Sequence, residues 1–177
     1  MIINGIVAVS KNNGIGKDNK IPWYLKSDLK RFQAMTTGNG KNAVVMGKNT
    51  WNSIPFLKNR DHFILTTSLN INEKRGNQSI FSFKSIDELF VFLKQQNYDS
   101  LWVIGGSKIY DLFLKLNIID ELFVTVIDEE YECDVFFPTI PNTYILKEEE
   151  ILHERTDNNN KVKMLIYKST CHNKDYQ

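Results

Sequence analysis

Leu101-Trp102-Val103-Ile104-Gly105-Gly106-Ser107-Lys108-Ile109-Tyr110 decides the fold class of this chain. Four apolar residues in a row read as a short strand buried on both faces. Two glycines follow, and from Ser107 to Leu116 the residues Ile109, Tyr110, Phe113 and Leu116 recur at helical spacing. A strand that turns on glycine directly into a helix is the building unit of an α/β sheet. The same junction has chemical consequences. Helix-start N–H groups and the helix dipole favour an anion, and residues without side chains let it approach the backbone.

Outward from this stretch, the junction recurs. Ala43-Val44-Val45-Met46 is a short strand that stops at Gly47, and 48–54 reads as a short helix ended by Pro55. Two such junctions, each carrying a lysine (Lys48, Lys108), are able to bracket a pyrophosphate and a further phosphate. Residues 2–9 read as a strand buried on both faces, 62–67 as a strand ending in the hydroxyls of Thr66 and Thr67, and 80–83 as a further short strand. Ser85 three residues before Glu88 is a capping box for a helix to about 96. Residues 121–127 form another strand, and 144–152 with 162–167 flank a polar Arg155–Asn160 turn as an antiparallel hairpin. The predicted architecture is α/β: one domain over 1–168, with a mostly parallel mixed sheet, helices on its faces and a C-terminal antiparallel hairpin. Residues 169–177 read as a polar, frayed tail.

The chain has 177 residues, 42% hydrophobic and 24% charged, with a formal net charge of +1. That balance suits a packed globular domain and gives no overall attraction to nucleic acid or an anionic membrane, so an anion site must be built locally. The apolar N-terminal run is too short to span a bilayer. Cys133 and Cys171 fit no metal-ligand spacing and read as free thiols in a reducing, cytoplasmic setting. No metal site, P-loop or nucleophile elbow is present, and the loop after the first strand lacks the GxGxxG fingerprint.

That loop, Ser10 to Lys20, is polar, has Gly14 and Gly16, and carries a single apolar Ile15 as either an anchor or the tip of a lid. A helix at about 25–36 follows Pro22-Trp23. At about 100° per residue Leu25, Leu29 and Phe32 share a stripe, Asp28 falls on its edge, and Lys26, Lys30 and Arg31 lie mostly away from it. An Asp there is either a helix cap facing water or a carboxylate that must find partners or keep its proton.

In chain order, Ile15-Gly16, Pro22-Trp23 with Leu25, Asp28, Leu29 and Phe32, Met46-Gly47-Lys48-Asn49-Thr50-Trp51 with Ser53-Ile54, Leu57 with Arg60, Ile104-Gly105-Gly106 with Tyr110, and Thr125 form one pattern. It resembles dihydrofolate reductase along nearly the whole chain, and Asp rather than Glu at position 28 is similar to the bacterial branch. The resemblance implies an NADPH-dependent enzyme that reduces 7,8-dihydrofolate by hydride transfer to C6 and protonation of N5, supplying one-carbon metabolism. It also implies a monomer that takes antifolates. A pterin or pyrimidine reductase of the same fold would generally lack the Pro-Trp…Asp…Phe helix, and a silent nucleotide-binding module would be expected to lose Asp28 or the Gly-Gly turn.

Residue by residue, the resemblance makes Asp28 the hook for the pterin amino group and ring N–H, with a raised pKa in the empty enzyme, Thr125 its hydrogen-bond partner and Trp23 the residue that orders a nearby water. Ile6, Leu29, Phe32, Ile54, Leu57, Ile104 and Tyr110 would surround the substrate, and Arg60 would clamp its glutamate carboxylate. NADPH would lie against Ala8, Ile15 and Gly16, against Gly47, Lys48, Asn49 and Thr50, and against Gly105, Gly106, Ser107, Lys108 and Ile109, with Thr66 and Thr67 at the 2′-phosphate. A cis Gly105–Gly106 bond is also implied. Cys133, before Asp134, departs from the small residue common among relatives in the loop that supports the lid.

Overall fold

The computed structural model describes residues 1–171 and residue 176. In chain order it contains β1 (Ile2–Ser10), β2 (Gly14–Gly16), α1 (Lys26–Thr37), β3 (Asn42–Gly47), α2 (Lys48–Ser53), β4 (Asp61–Leu65), β5 (Asn72–Arg75), β6 (Gln78–Phe83), α3 (Ile86–Leu93), β7 (Ser100–Val103), α4 (Ser107–Lys115), β8 (Glu121–Ile127), β9 (Val135–Phe136), β10 (Tyr144–Arg155) and β11 (Lys161–Ser169). The main sheet has the order β10-β11-β8-β1-β7-β3-β4-β6-β5. The run from β8 to β6 is parallel, and antiparallel strands β11–β10 and β5 close its two edges. Among these residues no helix is long and apolar enough to cross a membrane.

The central strands are apolar on both faces because helices cover both. Alternate residues of one strand enter different cores. Ala43 and Val45 join Phe63, Leu101 and Val103 in the larger cluster under α3 and α4. Val44 and Met46 join Ile6, Ile64 and Trp102 in the second cluster, against which Phe32 and Met35 of α1 pack. Ser85 caps α3 as its spacing predicts, its hydroxyl accepting the Glu88 N–H at 3.2 Å, while the Glu88 carboxylate accepts from Lys84 N–H at 2.8 Å. That carboxylate therefore reaches one residue further back than the Ser85 N–H of an ideal capping box.

Three differences from the sequence reading have physical causes. Strand β5, Asn-Glu-Lys-Arg, is exposed throughout and carries no apolar alternation, so only its pairing with β6 makes it a strand. Strands β2 and β9 form a separate two-stranded sheet inside what reads as loop. The chain end is also less frayed than its polarity suggests. Ser169 N–H donates to Asp120 O at 3.0 Å, Thr170 N–H donates to Thr143 O at 2.8 Å, and the Tyr176 ring meets Phe90 edge-on at 4.9 Å. The rest of the expected tail, residues 172–175 and 177, lies outside the described residues.

Candidate active site

Asp28 lies in the first turn of α1 but does not cap it; Leu25 occupies the N-cap without a side-chain bond. Its carboxylate points toward the sheet instead. The Thr125 hydroxyl of β8 donates to Asp28 Oδ1 at 2.6 Å, and Arg31 Nη1 donates to the same oxygen at 3.2 Å. Among the described residues Oδ2 receives no hydrogen bond. Thr125 pairs in register with Ala8, near the end of β1. Burial raises the Asp28 pKa above the ordinary carboxylate value, against the opposing effects of the Thr125 hydroxyl and the Arg31 charge.

An apolar cluster packs against the same helix through Phe32, one turn beyond Asp28. Ile6 is buried in the second core cluster, and Phe32, Ile54, Leu57 and Ile104 all pack on that cluster while remaining partly open. The helical stripe is less uniform than its spacing predicts. Leu25 is buried with Ile127 and Val162, whereas Leu29 is 47% exposed. The face of α1 that spacing alone assigns to the core is therefore partly a wall open to solvent. Trp23 tilts against Tyr131 at a centroid distance of 5.2 Å. A cavity of about 400 Å³ lies between residues 21–25, Tyr131 and the Thr156-Asp157 turn, with Trp23 in its wall.

Arg60 is buried, contrary to the ordinary expectation for a loop arginine. Its Nη1 donates to Thr36 Oγ1 at 2.7 Å and its Nε to Lys58 O at 2.9 Å. Among the described residues no carboxylate pairs with it, and burial lowers its pKa. The loop bearing Arg60 is fixed by Gln78, whose amide donates to Leu57 O and Arg60 O, and by buried His62, whose Nε2 accepts the Leu57 N–H at 3.2 Å. Burial, with Arg60 nearby, lowers the His62 pKa to about 4, so the ring is neutral at physiological pH and free to act as that acceptor.

The two glycine junctions stand side by side because β3 and β7 are parallel neighbours. Gly47 N–H donates to Gly105 O at 2.8 Å, and a Cβ on Gly106 would stand 3.4 Å from Thr50 Oγ1. The Gly105–Gly106 bond is cis, and Gly105 has φ +112° with Tyr110 pressed against it. Neither Gly47 nor Gly106 provides a side-chain cap, so the first N–H groups of α4 remain available to an anion. Lys48 Nζ donates to Ser68 Oγ at 3.0 Å, beside Thr66, whose hydroxyl accepts the Ser68 N–H. Lys108, Asn49 and Thr67 are exposed at the same end. Ile109 and Tyr110 are buried under it, with the Tyr110 hydroxyl donating to Ile6 O at 2.7 Å and burial raising its pKa. The Ser107 hydroxyl donates to Phe136 O at 2.7 Å, tying α4 to the small sheet.

The lid loop is held through that small sheet. Gly14 pairs with Phe136 and Gly16 with Val135. Asp134 N–H donates to Gly16 O, and the Asp134 carboxylate accepts the Asp18 N–H, both at 3.0 Å. Cys133 lies so close to Gly14 that any side chain on that glycine would collide with its sulfur. Ile15, between the paired glycines, packs on the larger core cluster, so it anchors the loop.

A family model described as dihydrofolate reductase matches residues 2–169. The chain belongs to the dihydrofolate reductase family. The dihydrofolate reductase of Gallus gallus is 40% identical over 151 residues, 78% of each chain. The viral enzyme of Saimiriine herpesvirus 2 is 38% identical over 152 residues, 79% of this chain and 70% of its own length. That of Heliothis virescens is 31% identical over 164 residues, 86% of this chain and 89% of its own. These relatives are animal and viral, so they lend no support to the bacterial affinity read from Asp28. Membership of the dihydrofolate reductase family makes the chain an oxidoreductase acting on dihydrofolate, and its product tetrahydrofolate feeds one-carbon metabolism.

Within this dihydrofolate reductase fold the sequence reading passed over three residues that touch candidate site residues. Arg31 reads as a solvated charge, yet it stands three residues after Asp28, a spacing at which helical side chains meet. Ser68 follows the two threonines singled out and is the one that Lys48 touches. Thr36, which the sequence did not single out, is fully buried and accepts from Arg60.

Proposed function

We propose that this chain reduces 7,8-dihydrofolate to 5,6,7,8-tetrahydrofolate with NADPH as hydride donor. The observation that carries this reading is Asp28: a half-buried carboxylate held on Oδ1 by Thr125, with no hydrogen bond to Oδ2 among the described residues, on the helix whose Phe32 packs on the apolar cluster. A carboxylate accepts two donors side by side, which matches the amino group and ring N–H of a pterin. Phe32, Ile6, Ile54, Leu57, Ile104 and half-exposed Leu29 line the path of the ring and benzoyl group. Buried Arg60, without a carboxylate partner among the described residues, takes the glutamate carboxylate.

The donor end fits a dinucleotide. The uncapped start of α4 after Gly105-Gly106 suits a pyrophosphate, with Gly47, Asn49, Thr50, Ser107, Lys108 and Ile109 around it. Lys48, Thr66, Thr67 and Ser68 are grouped for a 2′-phosphate, which favours NADPH over NADH. Ala8, Ile15 and Gly16 meet the nicotinamide end, where Tyr110 backs the pocket. When bound, NADPH supplies the hydride that reaches C6. Asp28 holds the opposite edge of the ring, so the proton for N5 arrives through water ordered by Trp23. Antifolates with the same paired donors occupy the Asp28 hook. The two free thiols support a reducing, cytoplasmic setting, and the protein works as a monomer.

The test is the fall in NADPH absorbance on adding dihydrofolate to the purified protein. A steady decay, slower with NADH, is expected. No decay at any pH overturns the reading.

A further inference from the structure

Asp28 Oδ1 already has two donors: the Thr125 hydroxyl at 2.6 Å and Arg31 Nη1 at 3.2 Å. A carboxylate oxygen offers about two lone-pair sites, so this one is filled. A ligand that spans the carboxylate with two parallel donors needs one site on each oxygen. Thr125 is fixed by the β-sheet, whereas Arg31 is a long side chain on the helix surface with 22% of its side chain exposed, against 19% for Asp28. We propose that Arg31 is a displaceable counter-ion of Asp28, occupying in the empty site the acceptor position that a two-donor ligand must take. It is a positioning residue: it acts through Asp28 and touches no reacting atom.

This inference rests on the reading of Asp28 as the pterin hook. The charged groups acting on Asp28 are Arg31 from its own helix and Glu154 from β10, while β8 contributes the neutral Thr125. Glu154 is itself held by Ser27, whose N–H donates to it at 3.1 Å and whose hydroxyl also bonds it. With Arg31 removed, Asp28 keeps a carboxylate neighbour and loses the one cation that acts on it among the described residues. Arg31 thus has two effects. It lowers the pKa of the ligand-free hook and so favours the ionised form that a neutral pterin needs, and it competes with the ligand once that ligand arrives. These have opposite signs on affinity and separate with pH. Below the Asp28 pKa the first dominates; well above it, where the carboxylate is ionised regardless, only competition remains.

The experiment uses Arg31→Met in the full chain, with Arg31→Gln as a second variant should the first fold poorly, and Arg31→Lys to restore the charge. Carboxyl-carbon NMR of the ligand-free protein, with Asp28→Asn assigning the resonance, reads the Asp28 midpoint without any turnover. The midpoint is expected to rise by about one pH unit in Arg31→Met, the low end for losing a close opposite charge. Arg31→Lys should return most of that shift. At a pH two units above the raised midpoint, methotrexate should bind about two- to five-fold more tightly to Arg31→Met than to wild type, the range of a partly exposed ion pair. An unmoved midpoint overturns the proposal, as does weaker or unchanged methotrexate binding at high pH. An effect on thermal stability alone would mark Arg31 as a structural residue. Failure of the underlying reading is distinct: Asp28→Asn would then bind methotrexate as wild type does.

Discussion

Replacing Arg60 with leucine tests the substrate end of the site. Arg60 is buried, its guanidinium has two protein hydrogen bonds, and among the described residues no carboxylate balances its charge. If it takes the glutamate carboxylate, Arg60→Leu removes two charge-assisted hydrogen bonds at about 1.5–3 kcal/mol each. Even the low end, about 3 kcal/mol, raises KM for dihydrofolate by about 10²-fold. kcat should change little, because the clamp is remote from the reacting atoms and binds substrate and transition state alike. The control is 6-methyl-7,8-dihydropterin, which lacks the whole benzoylglutamate and so carries no carboxylate. Its KM should move by less than about threefold, since it has no group for Arg60 to hold. Arg60→Lys should fall between, having charge but no planar fork. The fold tolerates the loss: the Thr36 hydroxyl still donates to Phe32 O at 2.7 Å, and the burial of an unpaired charge is relieved. Equal KM increases for both substrates would refute the reasoning and leave Arg60 as a strut for the 57–60 loop.

Three further outcomes follow from the same geometry. Thr125→Val removes the hydroxyl that holds the Asp28 carboxylate, so the Asp28 midpoint should rise further, by about half a pH unit to one unit for a hydrogen bond of about 1 kcal/mol, as read by carboxyl-carbon NMR. Asp28→Asn should make the folded protein more stable at neutral pH, because the folded pKa lies above the ordinary 3.8. Protonation then stabilises the native state below 3.8, and that stability is lost as pH rises through the folded value, so the melting difference between wild type and variant should close under acid conditions. Gly105→Ala places a Cβ at φ +112° and 3.0 Å from the Tyr110 ring, and should cost about 1–3 kcal/mol in denaturant unfolding and weaken NADPH binding.

The parallel sheet was legible because its strands are apolar on both faces and end on glycine. Val44-Val45-Met46 and Trp102-Val103 need no tertiary knowledge to read as buried strands. Strands β2 and β9 were not legible: two or three residues of pairing around Gly14 and Gly16 leave no periodicity, and their existence depends on Asp134 and Cys133 arriving from distant sequence. Asp28 and Thr125 lie 97 residues apart, so their bond came from family resemblance rather than from any local pattern. Arg31 was the one miss with a local signal. Its three-residue offset from Asp28 was present in the sequence, but an arginine between Lys30 and Phe32 on an amphipathic helix reads first as solvated. Leu29 shows the converse, an apolar stripe residue left half-exposed on α1.

The central claim is that Asp28 is the hook that holds the pterin edge through two parallel hydrogen bonds. The most direct measurement is the Kd of methotrexate, by quenching of tryptophan fluorescence, for wild type and Asp28→Asn at the same pH. Two charge-assisted bonds at about 1.5–3 kcal/mol each predict a loss of roughly 10²- to 10⁴-fold, with NADPH binding unchanged. A Kd within about threefold of wild type, in a variant that still folds and binds NADPH, would contradict the account.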